Sequence, residues 1–383
     1  MTIWPSSTQD VATLTLTCPR VALHHELPDA RLGAMGDTMK AYRIVEWEHP
    51  PELVDAPVPE PGPGQVVVAV AGNGLCHSDA MMSQMPAAIG EAIGWKVPFT
   101  LGHEIGGRVA TFGKGVSGLC EGDPVAVISP HSCGRCTWCI RGEDNNCPDS
   151  LTGRGYGQDG GLASHVLVSS ARELVKLRTL DPVVAGPLTD AGATSYHAVK
   201  RALHRIHPGG TAVVIGAGGL GSYAVQHLLA LTAAQVVAID PVAERLAYAT
   251  ELGAHVTIEG VNSGTARDIL ALTGDGADAV FDFVGIDATI QAGLRSTRRG
   301  GAFALIGAGM GSLPRLSLYD LLPKDGEVFT FQASTIADAL DVIALADGGR
   351  IRADVDLFPL DRVTEAYEAM ESGTLRGRAV VVP

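Results

Sequence analysis

The stretch from residue 211 to 240 constrains the fold of this chain more than any other. It reads TAVVIGAGGLGSYAVQHLLALTAAQVVAID, in which two apolar runs enclose a glycine-rich turn and a helix-like segment. This order predicts a strand, a tight turn, a helix and a second parallel strand that ends in a carboxylate. We therefore expect a doubly wound parallel sheet around it.

The turn has the spacing of a dinucleotide site. Gly216 permits a sharp bend, Gly218 lets backbone amides approach a pyrophosphate, and Gly221 lets the helix pack closely on the strand. The helix N-terminus adds unpaired N–H groups and a partial positive charge. Asp240, at the end of the second strand, is expected to bind both hydroxyls of an adenosine ribose and to repel a 2′-phosphate. The motif therefore predicts NAD rather than NADP.

Composition excludes several classes of function. With 383 residues, 46% of them hydrophobic and 18% charged, the chain has enough apolar material for two packed domains. Its net charge of −14 argues against nucleic acid or an anionic membrane as a partner. No apolar run approaches the roughly 20 residues of a membrane span. The first residues lack a basic start followed by an apolar block, so a secretory signal is not expected. A cytoplasmic protein is expected.

The distribution of apolar runs and turn residues along the sequence suggests how the domains are arranged. Residues 1–38 lack a long periodic pattern and are interpreted as an N-terminal extension, or as the result of an upstream start codon before Met39. Short apolar runs broken by Gly and Pro in residues 39–190 predict a β-barrel-like unit. Strand–helix alternation in residues 191–330 predicts an inserted α/β domain. The last strand, within residues 331–383, is expected to return to the first domain and leave a cleft between the two lobes.

Four cysteines crowd into residues 133–147. Cys133, Cys136, Cys139 and Cys147 are spaced C-x2-C-x2-C-x7-C, which allows short loops to surround Zn²⁺ with four thiolates. Such a closed site is structural, and iron–sulfur clusters use other spacings. In a chain without a secretory signal, the clustering indicates metal ligation in a reducing compartment. Cys18, in the extension, is interpreted as incidental.

A second set of metal-ligating types is dispersed along the chain. It consists of Cys76, His103, Glu104 and Asp190. Each alone has an ordinary explanation, such as a core residue or a helix N-cap. Together they offer a thiolate, an imidazole and two carboxylates, which suits a catalytic zinc with an exchangeable position.

These motifs, in this order, resemble those of one enzyme family. The similarity runs from residue 39 to 383 and includes Gly-Leu-Cys76-His-Ser-Asp, Gly-His103-Glu104, the four-cysteine loop, Thr189-Asp190-Ala-Gly and the glycine turn. The chain resembles the zinc-dependent medium-chain alcohol dehydrogenases, especially bacterial NAD-dependent secondary alcohol dehydrogenases with Asp as the third zinc ligand. The resemblance implies a GroES-like catalytic domain, a Rossmann domain, and hydride transfer between an alcohol and NAD. It also implies two zinc ions per chain and a homotetramer or dimer.

The resemblance assigns roles around the catalytic zinc. Cys76, His103 and Asp190 would hold the ion, which lowers the pKa of the alcohol, and Glu104 would approach it transiently. Asp79 would orient the His103 ring.

A proton route is also implied. Ser78 would accept the proton of the substrate. Some members place a His where this chain has Met81, so the proton would leave through ribose and water or through His77. Contact with a phosphate or with the backbone is the other reading of His77.

Cofactor and substrate contacts follow in the same way. The cofactor set is Gly219 and Leu220 at the pyrophosphate, Arg245 near the adenosine ribose, Thr194, Val284 and Gly307 at the nicotinamide, and Arg378 at a phosphate. A solvated charge is the alternative for Arg378. The pocket set is Met81, Trp95 and Ala333, and Ala333 stands where close relatives carry a bulky aromatic. The implied pocket is wide and admits cyclic or branched alcohols.

Three other functions stay open on the sequence. A polyol or sugar-alcohol dehydrogenase of the same superfamily is one, although such enzymes often lack the four-cysteine loop. An enoyl or quinone reductase is another, although these lack the catalytic ligands. The third is a zinc-stabilised NAD-binding protein without turnover.

Overall fold

A six-stranded parallel sheet and an antiparallel barrel-like unit make up the fold. The computed structural model describes residues 37–314 and 325–383, so nearly all of the predicted extension, with Cys18, lies outside the described residues. The strands, in chain order, are β1 (Thr38–Ile44), β2 (Glu52–Pro57), β3 (Val66–Gly74), β4 (Phe99–Thr100), β5 (Glu104–Phe112), β6 (Pro124–Val127), β7 (Gly153–Arg154), β8 (Gly157–Gln158), β9 (His165–Val168), β10 (Leu174–Lys176), β11 (Thr211–Ile215), β12 (Gln235–Asp240), β13 (Val256–Glu259), β14 (Ala277–Asp282), β15 (Thr297–Leu305), β16 (Glu327–Phe329), β17 (Val355–Pro359) and β18 (Arg378–Val382).

Helices cover both faces of the parallel sheet and the ends of the barrel. In chain order, they are α1 (His77–Ser83), α2 (Ala87–Ala92), α3 (Thr137–Ile140), α4 (Pro182–Ala185), α5 (Ala191–Ala202), α6 (Gly221–Leu231), α7 (Ala243–Glu251), α8 (Thr265–Thr273), α9 (Asp287–Ser296), α10 (Ile336–Asp347) and α11 (Val363–Ser372). None of the helices in the described ranges is long and apolar enough to cross a membrane.

The parallel sheet has the strand order β13-β12-β11-β14-β15-β16. Strand β11 is apolar at successive positions because its two faces pack on different helices: Val214 lies with Leu228 of α6, and Val213 lies with Ile290 of α9. The strand order reverses between β11 and β14, and a crevice is expected at the carboxyl ends of strands at such a point. The glycine turn follows β11 there.

One strand begins earlier than the sequence pattern predicts. The apolar run from Ala302 to Ile306 predicts a strand there, but β15 starts at Thr297, which pairs with Ala277 of β14 before a shift in register. The intervening Arg-Arg-Gly-Gly segment hides the strand, since it is neither apolar nor alternating.

The barrel-like unit is built on a mainly antiparallel sheet ordered β10-β6-β5-β3-β18-β17, in which β17 and β18 run parallel and β9 also pairs with β3. Its core consists of Ile105 and of valines at alternate strand positions, among them Val66, Val68 and Val125. The last strand of the chain, β18, pairs with β3 through Val380 and Gly74. The C-terminus therefore lies beside the strand that leads into Cys76.

Candidate active site

Four side chains from three distant segments meet at the end of β3. Cys76, His103, Glu104 and Asp190 each offer a ligand atom, and these atoms all lie within 4.8 Å of one another. Cys76 directly precedes α1, His103 and Glu104 stand at the start of β5, and Asp190 precedes α5. One thiol, one imidazole and two carboxylates at this separation fit a zinc ion.

A buried carboxylate fixes the ring of His103. Nδ1 of His103 lies 3.1 Å from Oδ1 of Asp79, and the other carboxylate oxygen of Asp79 accepts a hydrogen bond from the amide of Cys76 at 3.0 Å. Both side chains are fully buried. The remaining ring nitrogen, Nε2, faces Asp190 Oδ2 at 3.6 Å. Asp79 thus positions two of the candidate ligands at once, which is typical of the carboxylates behind metal-bound histidines.

Burial disfavours charge in this cluster, but at His103 and Asp190 the effect of the neighbouring groups on the pKa outweighs that of burial. Burial acts to lower the pKa of His103, but Tyr156, Asp79 and Asp190 hold it well above its ordinary value. Burial likewise acts to raise the pKa of Asp190, but the hydrogen bond and charge of His103 lower it to about 2. The cluster therefore favours a positive charge at its centre, where a cation would lie.

Glu104 is held by an arginine from the last strand. Nε of Arg378 donates to Oε2 of Glu104 at 3.0 Å, and Nη2 of Arg378 pairs with Oε1. Burial raises the pKa of Glu104, and the guanidinium opposes that shift. The same guanidinium lies against the glycine turn, since a Cβ added at Gly219 would be 2.5 Å from Nη1 of Arg378. Arg378 therefore touches both the metal cluster and the predicted pyrophosphate site.

The glycine turn has the close contacts that its spacing predicts. Gly216 has φ +87°, and a Cβ at Gly221 would lie 1.8 Å from the carbonyl oxygen of Gly216. Asp240 accepts hydrogen bonds from the amides of Ala217 and Val242, each at 2.9 Å. The carboxylate at the end of β12 is thereby fixed beside the turn.

A cavity opens onto this turn. Among the residues that line it are His77, Gly218, Gly219, Arg245 and Arg378. Burial lowers the pKa of His77, and the charges of Arg378 and Arg245 lower it further. Two arginines and exposed backbone next to a helix N-terminus suit an anionic group such as a pyrophosphate. Leu220 is the residue before α6.

The three residues predicted at the nicotinamide adjoin the turn or the cluster. A Cβ at Gly216 would be 2.8 Å from Cγ2 of Val284, and a Cβ at Gly307 would be 2.3 Å from the backbone of Val284. The hydroxyl of Thr194 donates to Oδ1 of Asp190 at 3.4 Å. The structure thus brings Thr194 to the metal cluster and the other two to the turn.

Tyr156 is a site residue that the sequence reasoning missed. Its hydroxyl lies 2.9 Å from Oγ of Ser78 and 3.3 Å from Nε2 of His103. The available signal was the pair of glycines that flank it, Gly155 and Gly157, both with positive φ.

The predicted pocket residues separate in space. Trp95 is buried and its ring contacts that of Tyr156, with centroids 6.0 Å apart. Met81 is 54% exposed on α1. Ala333 has φ +53°, and its neighbour Gln332 accepts a hydrogen bond from Asn145 of the four-cysteine loop. Of the three, Trp95 is the one that these contacts connect to the metal cluster.

The four-cysteine loop closes on itself. The sulfur atoms of Cys136 and Cys139 are 3.5 Å apart, those of Cys133 and Cys139 are 3.9 Å apart, and those of Cys136 and Cys147 are 3.9 Å apart. The amides of Cys133 and Cys136 also donate to sulfur atoms of the set. Four sulfurs so close together fit a tetrahedral structural zinc.

Ion pairs that the sequence did not predict connect this loop to the barrel. Arg172 pairs with Asp144, inside the loop, at 2.7 Å, and it also donates to Oγ of Ser132 at 2.7 Å. Arg154 pairs with Glu173 at 2.9 Å, and both are buried. The first of these pairs holds the loop to the segment directly before β10, and the second joins that segment to β7.

Comparison with known proteins identifies the family. Residues 62–179 match the model of the alcohol dehydrogenase GroES-like domain, and residues 219–347 match that of the zinc-binding dehydrogenases. The NAD-dependent alcohol dehydrogenase of Sulfurisphaera tokodaii is 35% identical over 90% of this chain and 100% of its own length. This chain belongs to the zinc-dependent medium-chain alcohol dehydrogenases. The predicted resemblance, the fold class and zinc as a cofactor are thereby confirmed.

Solved structures of the family superimpose closely on this alcohol dehydrogenase chain. The alcohol dehydrogenase of Aeropyrum pernix has a TM-score of 0.83 at 33% identity, covering 90% of this chain and 100% of that one. Two similar proteins have other substrates in their names. The acetophenone reductase of Geotrichum candidum, solved with NAD, is 30% identical with a TM-score of 0.79 over 91% and 98% of the two chains. A D-arabinose 1-dehydrogenase (NADP(+)) of Saccharolobus solfataricus is 30% identical over 90% and 97%.

Proposed function

We propose that this enzyme interconverts a secondary alcohol, cyclic or otherwise bulky, and its ketone, with NAD as the hydride carrier. The family supplies the class of reaction, an oxidoreductase acting on an alcohol with a nicotinamide cofactor. The choice of NAD rests on Asp240, whose carboxylate at the end of β12 would repel a 2′-phosphate.

One observation carries the proposal. The guanidinium of Arg378 pairs with Glu104 in the metal cluster and lies against Gly219 in the dinucleotide turn. The candidate metal ligands and the candidate pyrophosphate site are therefore separated by a single side chain. Hydride transfer from a metal-bound alcohol requires the nicotinamide to contact the substrate, so a dinucleotide site next to the metal cluster supports this reaction.

The side chains around the metal cluster have the following roles in this reaction. Cys76, His103 and Asp190 would hold zinc, which acts as a Lewis acid toward the alcohol or carbonyl oxygen when bound. Ser78 accepts the proton of the alcohol and returns it in the reverse direction. Asp79 keeps the His103 ring in the tautomer that presents Nε2.

The proton leaves Ser78 by a route without a histidine at position 81. His77 lines the cavity at the glycine turn, and burial with two nearby arginines lowers its pKa. A neutral His77 can both accept and donate a proton, and it can also hydrogen-bond a phosphate. Glu104, held by Arg378, stays beside the metal ligands to assist exchange of water and substrate.

The proposed substrate size rests on the pocket sequence and on one relative. By the family resemblance, Ala333 stands where close relatives carry a bulky aromatic, and Trp95 contributes an aromatic wall next to Tyr156. The solved acetophenone reductase, whose name gives an aryl ketone as its substrate, supports a substrate of this size.

The test is a substrate screen that follows NADH absorbance. We expect turnover of cyclohexanol and 1-phenylethanol with NAD, a kcat/KM for 2-butanol that is not far above theirs, and much weaker activity with NADP. Preferential oxidation of aldoses or polyols would replace this substrate class with sugars. Two bound zinc ions without turnover of any alcohol would contradict the proposal.

The domain limits, oligomeric state and location are also proposed. We infer a catalytic domain formed by residues 39–190 and 331–383, with residues 191–330 inserted as the NAD domain; the pairing of β18 with β3 supports this division. We further infer a homotetramer, or a dimer, in the cytoplasm. Light scattering coupled to gel filtration tests the oligomeric state.

A further inference from the structure

The loop that carries Tyr156 packs closely against the segment that leads into the metal cluster. Gly155 and Gly157 have φ of +73° and +77°, a conformation that L side chains rarely adopt. A Cβ at Gly155 would lie 2.8 Å from the carbonyl oxygen of Gly102, and one at Gly157 would lie 2.6 Å from the ring of Trp95. Gly155 therefore lets the backbone approach Gly102, directly before His103, and Gly157 lets it approach the ring of Trp95.

Aromatic contacts then fix the Tyr156 ring. Its centroid is 4.7 Å from that of the His103 ring and 6.0 Å from that of Trp95. Trp95 is itself held, because its Nε1–H donates to the carbonyl oxygen of Leu151 at 2.9 Å. A ring enclosed in this way presents its hydroxyl in one direction, toward Ser78 and Nε2 of His103.

Metal binding would change the partners of that hydroxyl. Nδ1 of His103 is engaged by Asp79, so Nε2 is the ring nitrogen that a metal ion would take. Tyr156 would then lose its hydrogen bond to Nε2 and keep the one to Ser78, at 2.9 Å. Ser78 is the residue to which we assign the substrate proton, so a substrate oxygen that reaches Ser78 also reaches the phenol.

We propose that the Tyr156 hydroxyl donates a hydrogen bond to the oxygen of the alcohol or carbonyl group at the reacting centre, next to Ser78, and that Tyr156 is thereby a catalytic residue. This inference rests on the proposed function. A fixed hydrogen-bond donor stabilises the substrate oxygen most when that oxygen carries the most negative charge. In alcohol oxidation, this is after the proton has left the oxygen and before the hydride has left the carbon. Ser78 exchanges the proton and Tyr156 keeps its own.

The test compares Tyr156→Phe with Tyr367→Phe. Both variants remove a phenol hydroxyl and keep the ring, and Oη of Tyr367 is buried without a hydrogen-bond partner among the described residues. Zinc content and melting temperature are measured first. We expect Tyr156→Phe to keep both zinc ions and to lose kcat/KM by about 100-fold, the effect of deleting one such donor. Tyr367→Phe should remain close to the wild type.

A binding measurement separates this role from a structural one. Isobutyramide has a carbonyl oxygen but does not react, so its binding to the enzyme–NADH complex is followed by NADH fluorescence. Tyr156→Phe should weaken isobutyramide by about 10-fold, the loss of about one hydrogen bond. It should leave pyrazole, which has no oxygen, unchanged on the enzyme–NAD complex.

Each other outcome has one meaning. Isobutyramide binding and kcat/KM within twofold of the wild type would overturn the inference and leave the proposed function intact. Loss of zinc in Tyr156→Phe would also overturn it, in favour of a structural role. An inactive wild-type enzyme with both zinc ions bound would instead defeat the proposed function, and the inference with it.

Discussion

Arg378 and Glu104 form a buried, two-pronged ion pair although 274 residues separate them in the sequence. The pair connects the last strand of the chain to the start of β5, and the guanidinium also meets the glycine turn at Gly219. A charge pair removed from water stabilises a fold only while both partners are present. The position of Glu104 beside the metal ligands therefore depends on the C-terminal strand.

A double-mutant cycle measures this dependence. Arg378→Met leaves the Glu104 carboxylate buried without a counter-charge, and we expect a loss of about 3 kcal/mol in the free energy of unfolding. Glu104→Gln alone leaves the guanidinium unpaired. The double variant carries neither charge. Its loss in the free energy of unfolding, measured in urea, should therefore be smaller than the sum of the two single losses, by a coupling energy of about 2 kcal/mol.

The exposed pair Arg362 and Glu365 provides the matched control, because its partners are also joined by two contacts but lie in solvent. Its coupling should be much smaller. Strictly additive losses for Arg378 and Glu104 would mean that the pair is not the link described above.

Asp79 gives a second prediction. In Asp79→Asn, the side-chain oxygen can still accept from Nδ1 of His103. The side-chain NH2 group then faces the backbone N–H of Cys76, and two donors cannot form a hydrogen bond with each other. We expect the affinity of the catalytic site for zinc to fall by about 10- to 100-fold, measured by competition with a chelator. The four-cysteine site should keep its ion, so zinc content should approach one per chain.

Asp123→Asn is the control for this substitution. Oδ2 of Asp123 accepts from the amide of Cys120 at 2.8 Å, the same i to i+3 arrangement as Asp79 with Cys76, away from the candidate metal ligands. Zinc affinity equal in the two variants would show that Asp79 acts only on the local turn.

The features that could be predicted residue by residue from the sequence were local ones. The glycine turn and the four cysteines lie within short segments whose spacing dictates their geometry, so both were predictable residue by residue. The dispersed candidate ligands Cys76, His103 and Asp190 were predictable as a set, because three uncommon ligand types with family spacing are hard to explain separately. The cluster within 4.8 Å is where the structure places them.

Long-range partners were not predictable. We predicted a phosphate contact or a solvated charge for Arg378, and nothing in its neighbours reveals Glu104 as its partner. Tyr156 was hidden for a different reason, since a tyrosine in a glycine-rich loop usually indicates only a turn. Its meaning comes from the close approach to Gly102, which depends on tertiary packing.

A buried histidine in the Rossmann domain predicts how stability varies with pH. His227 is fully buried on α6, Nε2 lies 3.0 Å from the carbonyl oxygen of Gly192, and Nδ1 has no partner in the described part of the chain. Burial lowers its pKa to about 4, from an ordinary value of 6.5, although the carbonyl contact opposes the shift. The folded protein therefore resists protonation at this ring, whereas the unfolded chain does not.

The direction of the effect follows from this difference. Above pH 6.5 the ring is neutral in the folded and in the unfolded protein, so it does not make the free energy of unfolding depend on pH. Between pH 6.5 and about 4, only the unfolded chain gains the proton. Stability should fall by roughly 3 kcal/mol over that range because of this residue alone. His227→Gln keeps a donor toward Gly192 but cannot titrate, so urea unfolding between pH 7 and 5 should show a shallower loss than in the wild type. His49→Gln removes a solvent-exposed ring whose pKa its hydrogen bond to Trp47 and the charge of Glu46 raise, so this variant should not show a shallower loss. Equal slopes for wild type and His227→Gln would show instead that carboxylates alone govern the acid sensitivity, since no other change separates the two proteins.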